Sequence, residues 1–67
     1  MTIISKRLGE RIRKFREDKE ITQEEAAYRA GLDYSYYNQI EMGKRNPSVK
    51  ALSRIAKTVG VSIKDLF

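Results

Sequence analysis

Apolar residues recur at helical spacing near the start of the chain. Leu8, Ile12 and Phe15 are four and three residues apart, which places them on one face of a helix predicted over residues 5–18. Ile4 extends this face by one turn. The opposite face carries five basic side chains, Lys6, Arg7, Arg11, Arg13 and Lys14. The pattern predicts an amphipathic helix whose charged face is turned either to solvent or to an anionic partner.

A second helix is predicted to begin at Thr22. In Thr22-Gln-Glu-Glu25 the threonine and the second glutamate have the spacing of a capping box, in which each side chain bonds the backbone N–H of the other residue. The helix contains three alanines and ends at Gly31, a residue that readily adopts the left-handed conformation found after helix ends. It is therefore only about two turns long.

A third short helix follows almost at once. Asp33 is a suitable N-cap, and Leu32 before it can pack against Tyr37, so the helix is expected to run from Tyr34 to about Met42. Gly43 ends it. Only three residues, 31–33, separate this helix from the preceding one, which requires the two axes to cross steeply.

The rest of the chain predicts two more helices. Ser48 can cap a fourth helix, which Gly60 ends. Its buried stripe is predicted to be Val49, Leu52, Ile55, Ala56 and Val59. Ser62-Ile-Lys-Asp65 resembles another capping box and predicts a fifth helix. Since no segment alternates in the manner of a strand, we expect an all-α, compact five-helix domain spanning residues 1–67.

The second and third helices have the spacing of a helix-turn-helix. Counted from Gln23 as the first position, the small residue Ala27 is fifth, Gly31 ninth, Tyr37 fifteenth and Ile40 eighteenth. Each of these positions has a steric requirement, because two short helices must approach closely around a tight turn. The sequence therefore predicts a helix-turn-helix core over about residues 22–43, resembling the DNA-binding domain of lambda repressor.

The third helix carries the side chains best suited to reading DNA bases. If Tyr37 and Ile40 face the core, helix geometry turns four polar residues outward, Tyr34, Ser35, Asn38 and Gln39. Their amides and hydroxyls can donate and accept hydrogen bonds, as recognition of base edges in the major groove requires. The alternative is that these residues form an ordinary polar surface.

Groups that contact phosphate are expected at the rim of the same surface. Helix N-termini and basic loops provide such groups, and the candidates are Gln23, Tyr36, Lys44, Arg45 and Asn46. A merely solvated basic loop is the alternative. Arg16 and Glu41 are expected to form a partly buried ion pair between the first and third helices.

Composition narrows the possible functions. The chain has 67 residues, a net charge of +5, no cysteine and no histidine. The basic character favours a polyanionic partner. We find no catalytic constellation, metal site, cofactor motif or small-molecule site, and no apolar run of the roughly 18 residues that a membrane span needs. We therefore expect a soluble cytoplasmic protein that is not an enzyme. A protein-interaction or antitoxin-like module is the main alternative to a DNA-binding protein.

Self-association is expected on physical grounds. One short helix reads about four base pairs, too few for strong discrimination, whereas two half-sites one DNA turn apart double the contacts. The predicted seam of a homodimer consists of Val61, Ile63, Leu66 and Phe67. Alternatively, these residues close the core of the monomer over the first helix.

Several motifs together resemble the phage-repressor family of helix-turn-helix regulators, the Cro/Xre type. They are Ile21-Thr-Gln-Glu-Glu-Ala-Ala, Ala30-Gly-Leu, Ile40-Glu-Met-Gly-Lys-Arg-Asn-Pro-Ser48 and Val59-Gly-Val-Ser. The segment Leu-Asp-Tyr-Ser-Tyr at 32–36 is similar to controller proteins of restriction-modification systems. The resemblance implies a two-fold dimer on operator DNA, with the contact residues and the Arg16–Glu41 pair given above. Controller proteins usually carry arginine where this chain has Tyr34, and often another at Met42, which implies a different operator sequence.

Overall fold

Four α-helices and one short 3₁₀ turn make up the part of the chain that the structure describes. A computed structural model describes the backbone of residues 3–67 and the side chains of residues 5–67. The helices are α1 (Ile3–Asp18), α2 (Gln23–Ala30), α3 (Tyr34–Glu41) and α4 (Val49–Val59). No strand occurs in the described part of the chain, which confirms the all-α prediction.

The predicted fifth helix was wrong. Ile63–Leu66 forms a single 3₁₀ turn instead. The Asp65 carboxylate accepts hydrogen bonds from the backbone N–H and the hydroxyl of Ser62, at 3.0 and 2.9 Å. The backbone N–H of Asp65 also bonds the Ser62 carbonyl three residues back. These local bonds hold the backbone in the tighter i→i+3 pattern rather than in an α-helix.

The first helix packs against the end of α3 at a glycine. Leu8 and Ile12 of α1 are buried as predicted, and the side chain of Ile4 lies outside the described residues. A Cβ atom at Gly9 would lie 2.4 Å from the carbonyl oxygen of Ile40 and 2.5 Å from that of Glu41. Only glycine therefore permits this crossing. The role of Gly9 was not predicted from the sequence, although an isolated glycine inside a helical pattern is itself a signal of close packing.

The cap of α2 follows only half of the predicted box. The Thr22 hydroxyl accepts a hydrogen bond from the Glu25 backbone N–H at 3.1 Å, as expected. The Glu25 carboxylate instead accepts a bond from Arg29 Nε at 2.7 Å, one turn further along the helix. Gly31 has a φ of 68° and ends the helix in the predicted left-handed conformation.

The buried stripe of α4 begins two positions later than predicted. Ser48 caps the helix as predicted, by accepting a hydrogen bond from the Ala51 N–H. Val49 is 80% exposed, however, and Ala51 occupies the core in its place. Val49 is the first residue of the helix and its side chain is left uncovered there, so spacing alone was misleading.

The core lies where the four helices meet. Helix α3 packs on α1 and α2, α4 packs on the same two helices, and the 3₁₀ turn closes over α1 and α4. The largest fully buried apolar side chains of the core are Ile12, Tyr37, Ile40, Ile55 and Leu66. Among the described residues, no helix is both long enough and apolar enough to cross a bilayer. This packing leaves one long side of α3 uncovered.

Candidate nucleic-acid interface

The two faces of α3 differ as the sequence predicts. Tyr37 and Ile40 are both completely buried. On the other side, Tyr34 and Ser35 are exposed, and Asn38 and Gln39 are half-buried. The third helix is thus anchored by two large side chains while its hydroxyls and amides stay within reach of a ligand. We refer to the surface formed by the predicted base-reading residues as the open face of α3: Tyr34, Ser35, Asn38 and Gln39.

The N-terminus of α3 is capped by a carboxylate. Asp33 accepts hydrogen bonds from the backbone N–H groups of Ser35 and Tyr36, at 3.1 and 3.4 Å. This arrangement satisfies two amides that a short helix would otherwise leave unpaired. On the open face, Gln39 Nε2 donates to the Ser35 hydroxyl at 3.3 Å. The hydroxyl proton of Ser35 is not used by any described residue.

Gln23 lies in a polar network rather than pointing freely to the rim. Its Nε2 donates to Glu41 Oε1 at 2.9 Å. Its Oε1 accepts hydrogen bonds from Asn38 Nδ2 at 2.9 Å and from the Tyr34 hydroxyl at 3.3 Å. The side chain predicted to contact phosphate thus connects α2 to two residues of the open face and to one buried carboxylate.

The ion pair between α1 and α3 is more deeply buried than predicted. Arg16 donates to both oxygens of Glu41, from Nε at 2.7 Å and from Nη2 at 3.2 Å. The side chains are only 10% and 1% exposed. Arg16 Nη1 also donates to the carbonyl oxygen of Ile21 at 2.8 Å. The hydrogen bond to Glu41 raises the pKa of Arg16, so the guanidinium group stays charged.

The Tyr37 hydroxyl lies beside this pair. Burial raises the pKa of Tyr37, and the negative charge of Glu41 raises it further. The hydroxyl oxygen has no hydrogen-bond partner among the described residues. Tyr37 therefore remains a neutral phenol that fills the core, in agreement with its predicted packing role.

The basic loop after α3 is held by an aromatic ring. The Arg45 guanidinium lies 5.4 Å from the centre of the Tyr36 ring, within the range of a cation–π contact. The Tyr36 hydroxyl accepts a hydrogen bond from the Ser48 backbone N–H at 3.3 Å. Its own proton is not used by any described residue. Tyr36 can therefore position Arg45 and still donate a hydrogen bond to a phosphate.

The other loop residues differ in their freedom. Lys44 and Arg45 are exposed, and neither forms an ion pair with a described carboxylate. Asn46, in contrast, accepts a hydrogen bond through its Oδ1 from the buried Ser5 of α1. Gly43 makes this contact between loop and helix possible, because a Cβ there would lie 2.7 Å from the Lys6 Cα. No pattern in the sequence indicates the link between Ser5 and Asn46, which lie 41 positions apart along the chain.

The residues predicted to form a dimer seam do not share one environment. Leu66 is fully buried, and its turn packs on α1 and α4, so it closes the core of the monomer. Val61 is partly buried against the same core. Phe67 is 60% exposed and Ile63 37% exposed. Only Ile63 and Phe67 of the four therefore offer substantial apolar surface to a partner.

No group of histidine, cysteine, aspartate and glutamate side chains within the described residues is arranged to hold a metal ion. The carboxylates near α3 are already engaged, Asp33 in capping and Glu41 in the ion pair. The surface around α3 is therefore one of amides, hydroxyls and cations.

Comparison with known proteins agrees with this geometry. A family described as helix-turn-helix matches residues 12–66. The control protein C.MunI from a Mycoplasma species is 38% identical over 68 residues, covering 100% of this chain and 92% of that protein. The control protein C.BamHI from Bacillus amyloliquefaciens is 37% identical, covering 87% of this chain and 73% of that protein.

A solved structure extends the similarity to three dimensions. The restriction-modification controller protein C.AhdI from Aeromonas hydrophila superimposes with a TM-score of 0.89 at 34% identity. The match covers 92% of this chain and 94% of C.AhdI. Because the family match includes both helices of the motif and the similar proteins span nearly the whole chain, this protein belongs to the helix-turn-helix family of Cro/Xre-type regulators.

Proposed function

We propose that this protein regulates transcription by binding a palindromic DNA operator as a homodimer, with α3 in the major groove. One observation carries the proposal. Helix α3 buries Tyr37 and Ile40 completely, while a row of amides and hydroxyls stays open directly before a basic loop whose cations form no ion pair with a described carboxylate. The major groove is wide enough, at about 12 Å, to admit such a helix.

Phosphate contacts are assigned to the two sides of this helix. Lys44 and Arg45 supply positive charge after α3, and the Tyr36 hydroxyl adds a donor beside Arg45. On the other side, the N-terminus of α2 brings backbone N–H groups. Phosphate contacts fix the orientation of a protein on DNA, whereas the open face of α3 distinguishes base pairs.

A homodimer is favoured by the small size of the reading surface. The eight residues of α3 reach only a few base pairs, and a two-fold axis doubles that number. We assign the seam to Ile63 and Phe67, which are the exposed pair in the predicted set, with Val61 at its edge. Replacing both Ile63 and Phe67 by serine is expected to shift the protein to a monomer in sedimentation equilibrium without lowering its helix content. An unchanged dimer mass would remove this surface from the proposal.

The kind of gene regulation is inferred from the similar proteins. C.MunI and C.BamHI are named control proteins, and C.AhdI a restriction-modification controller protein. A regulator of that kind needs affinity for one operator and low affinity for other DNA. We therefore expect an operator of two related half-sites, whose centres are about one helical turn apart.

Selection of bound duplexes from a random pool tests the proposal directly. A symmetric consensus is the expected result. With that duplex, the logarithm of the association constant should fall linearly with the logarithm of salt concentration, with a slope of several units. A pool that yields no consensus at any salt concentration would contradict operator recognition.

Two single variants separate the assigned roles. Arg45→Ala should weaken binding to all duplexes about equally and reduce the salt slope by about 1 for each half-site. Asn38→Ala should instead relax the preference at one position in each half-site, at a cost of about 1–3 kcal/mol for the preferred base. If Asn38→Ala weakened every duplex equally, its base-reading role would be wrong. Circular dichroism of both variants serves as the check on folding.

A further inference from the structure

Glu41 fixes the orientation of the Gln23 side chain. Both oxygens of Glu41 accept hydrogen bonds from Arg16, and the carboxylate side chain is only 1% exposed. A carboxylate in this setting offers only lone pairs. The Gln23 side chain, 2.9 Å away, must therefore turn its NH₂ group toward Glu41. The oxygen and the NH₂ group of a glutamine side chain are nearly identical in shape, so their assignment depends on their hydrogen-bond partners. Here the neighbouring ion pair determines the assignment.

The constraint continues from Gln23 to the open face. With its NH₂ group directed at Glu41, Gln23 presents Oε1 to α3, where it accepts from Asn38 Nδ2 and from the Tyr34 hydroxyl. A carbonyl oxygen has two lone pairs, and these two contacts use both. Asn38 and Tyr34 must therefore act as donors toward Gln23. We refer to this chain of bonds as the amide relay, formed by Glu41, Gln23, Asn38 and Tyr34.

The relay determines what the open face can still offer to DNA. The Tyr34 hydroxyl has used its single proton, so its oxygen can only accept. Asn38 retains Oδ1 as an acceptor and one N–H as a donor, and no described residue uses either. In the major groove, the hydrogen-bond donors are the amino groups of adenine and cytosine. An acceptor-only hydroxyl therefore suits these two bases and disfavours guanine and thymine.

We infer that Gln23 is a specificity-determining residue which sets the hydrogen-bond direction of Tyr34 and Asn38, so that Tyr34 selects an amino-bearing base and Asn38 pairs with adenine. This inference rests on the proposed function and refines it. Asn38 matches adenine because its free N–H and Oδ1 complement N7 and the N6 amino group. Gln23 acts here through its neighbours, as a positioning residue, rather than by contacting a base itself.

A direct phosphate contact by Gln23 is the competing assignment. Gln23 has one N–H outside the relay that could serve this purpose. The two roles differ in their effect on sequence preference, because a phosphate contact carries no base information. A residue that orients base-reading groups should change preference at particular positions, whereas a phosphate ligand should change affinity for all sequences alike.

The test compares wild type with Gln23→Met, which keeps the side-chain length but removes both polar groups. Dissociation constants are measured at one salt concentration for the selected operator, for all single-base changes in a half-site, and for an unrelated duplex. We call the operator base pair that Tyr34 contacts the Tyr34 position. Wild type should favour adenine or cytosine at the Tyr34 position by about 5- to 150-fold. Gln23→Met should reduce this ratio to less than about threefold, with less than about twofold change for the unrelated duplex.

The alternative outcomes are distinguishable. A uniform loss of affinity in Gln23→Met, with base preferences intact, would assign Gln23 to phosphate and overturn the relay. A wild-type preference for guanine or thymine at the Tyr34 position would overturn it as well. Wild-type protein without any base preference would instead refute operator recognition itself, and the relay with it.

Two further variants keep the test independent of the folding of Gln23→Met. Tyr34→Phe retains the exposed ring and removes only the hydroxyl, so it should abolish the preference at that one position. Gln39→Ala is the matched control, since it removes an amide of the open face that lies outside the relay. It should alter base preference at the operator position that Gln39 reads and leave the preference at the Tyr34 position unchanged. Equal effects of the two variants at that position would contradict the inference.

A measurement without DNA examines the relay in the free protein. The side-chain amide protons of Asn38 give separate NMR signals, and the one bonded to Gln23 should be shifted downfield in wild type. In Gln23→Met this signal should move toward the position of an unbonded amide, while the Gln39 amide signals stay in place. An Asn38 amide spectrum identical in both proteins would show that Gln23 does not hold this side chain.

Discussion

The two ends of α3 are built in opposite ways. At the C-terminal end, Glu41 is buried in an ion pair with Arg16, and the backbone of Ile40 and Glu41 touches α1 at Gly9. At the N-terminal end, Tyr34 and Ser35 are exposed, and the capping carboxylate of Asp33 holds the helix start. One end fixes the helix in the molecule, and the other leaves side chains free for contact. A recognition helix needs both properties. Its side chains must be accessible to the bases, and the helix itself must stay in a fixed position while they bind.

The difference implies that substitutions along a single two-turn helix should have unlike consequences. Changes at the C-terminal end should lower the free energy of unfolding, whereas changes at the N-terminal end should mainly alter base preference. Gln23 of α2 connects the two ends, because its side chain bonds both Glu41 and Tyr34.

Glu41→Ala should give the largest effect at the buried end. Arg16 would be left in the interior without its carboxylate, which costs about 3–5 kcal/mol in free energy of unfolding. Urea denaturation followed by far-UV circular dichroism measures this loss. The control is Glu17→Ala, which removes the exposed ion pair with Arg13 and should cost less than about 1 kcal/mol. Equal losses in the two variants would contradict the special role of the buried pair.

Gly9→Ala tests the close crossing of α1 and α3. Helix propensity alone predicts a gain of about 1 kcal/mol for this change in a helix interior. The backbone contacts of Gly9 predict the opposite sign, a loss of about 1–3 kcal/mol, because α1 must move away from α3. Thermal denaturation gives the sign directly. The control Glu10→Ala changes the adjacent exposed position and should leave stability nearly unaltered. A stabilised Gly9→Ala would show that the two helices can separate at little cost.

Asp33→Ala removes the cap at the open end. The loss of two hydrogen bonds to backbone N–H groups should lower the free energy of unfolding by about 0.5–2 kcal/mol. Asp18→Ala is a suitable control, because that exposed aspartate caps no helix. We expect less than about 0.5 kcal/mol for the control in the same urea titration. A loss in Asp18→Ala as large as that in Asp33→Ala would contradict the role of Asp33 as a cap.

Ser35→Ala should have the smallest effect on stability and a clear effect on function. The side chain is exposed, so the free energy of unfolding should change by less than about 0.5 kcal/mol. Base preference at one operator position should nevertheless relax, as measured by binding to single-base variants of the operator. Ser53→Ala on α4 removes an equally exposed hydroxyl and should alter neither property. If Ser35→Ala lowered stability without changing base preference, the proposed difference between the two ends of α3 would be contradicted.

Local signals in the sequence predicted most of the fold. The capping residues Thr22, Asp33 and Ser48 each accept the expected backbone hydrogen bond, and Gly31 and Gly60 end their helices in the left-handed conformation. Such signals are reliable here because they act within a few residues of the chain. The burial of Tyr37 and Ile40 also followed from spacing, since the turn between α2 and α3 leaves little choice of orientation.

The failures occurred where a neighbour in space or a competing local bond decided the result. Val49 fits the stripe of α4 by spacing but is exposed at the helix start. Glu25 fits a capping box but bonds Arg29 instead. The last turn adopts the 3₁₀ pattern because Ser62 and Asp65 close it locally.

The sequence by itself determined the helices, their caps and the inward face of α3, because periodicity and capping chemistry depend on residues close together in the chain. Only the tertiary structure decided which polar groups remain free at the candidate interface. Gln23 lies 15 positions before Asn38 and 18 positions before Glu41 along the chain. Its hydrogen bonds to them form only when α2 packs across α3. The direction of those bonds depends on a buried carboxylate whose partner, Arg16, belongs to yet another helix.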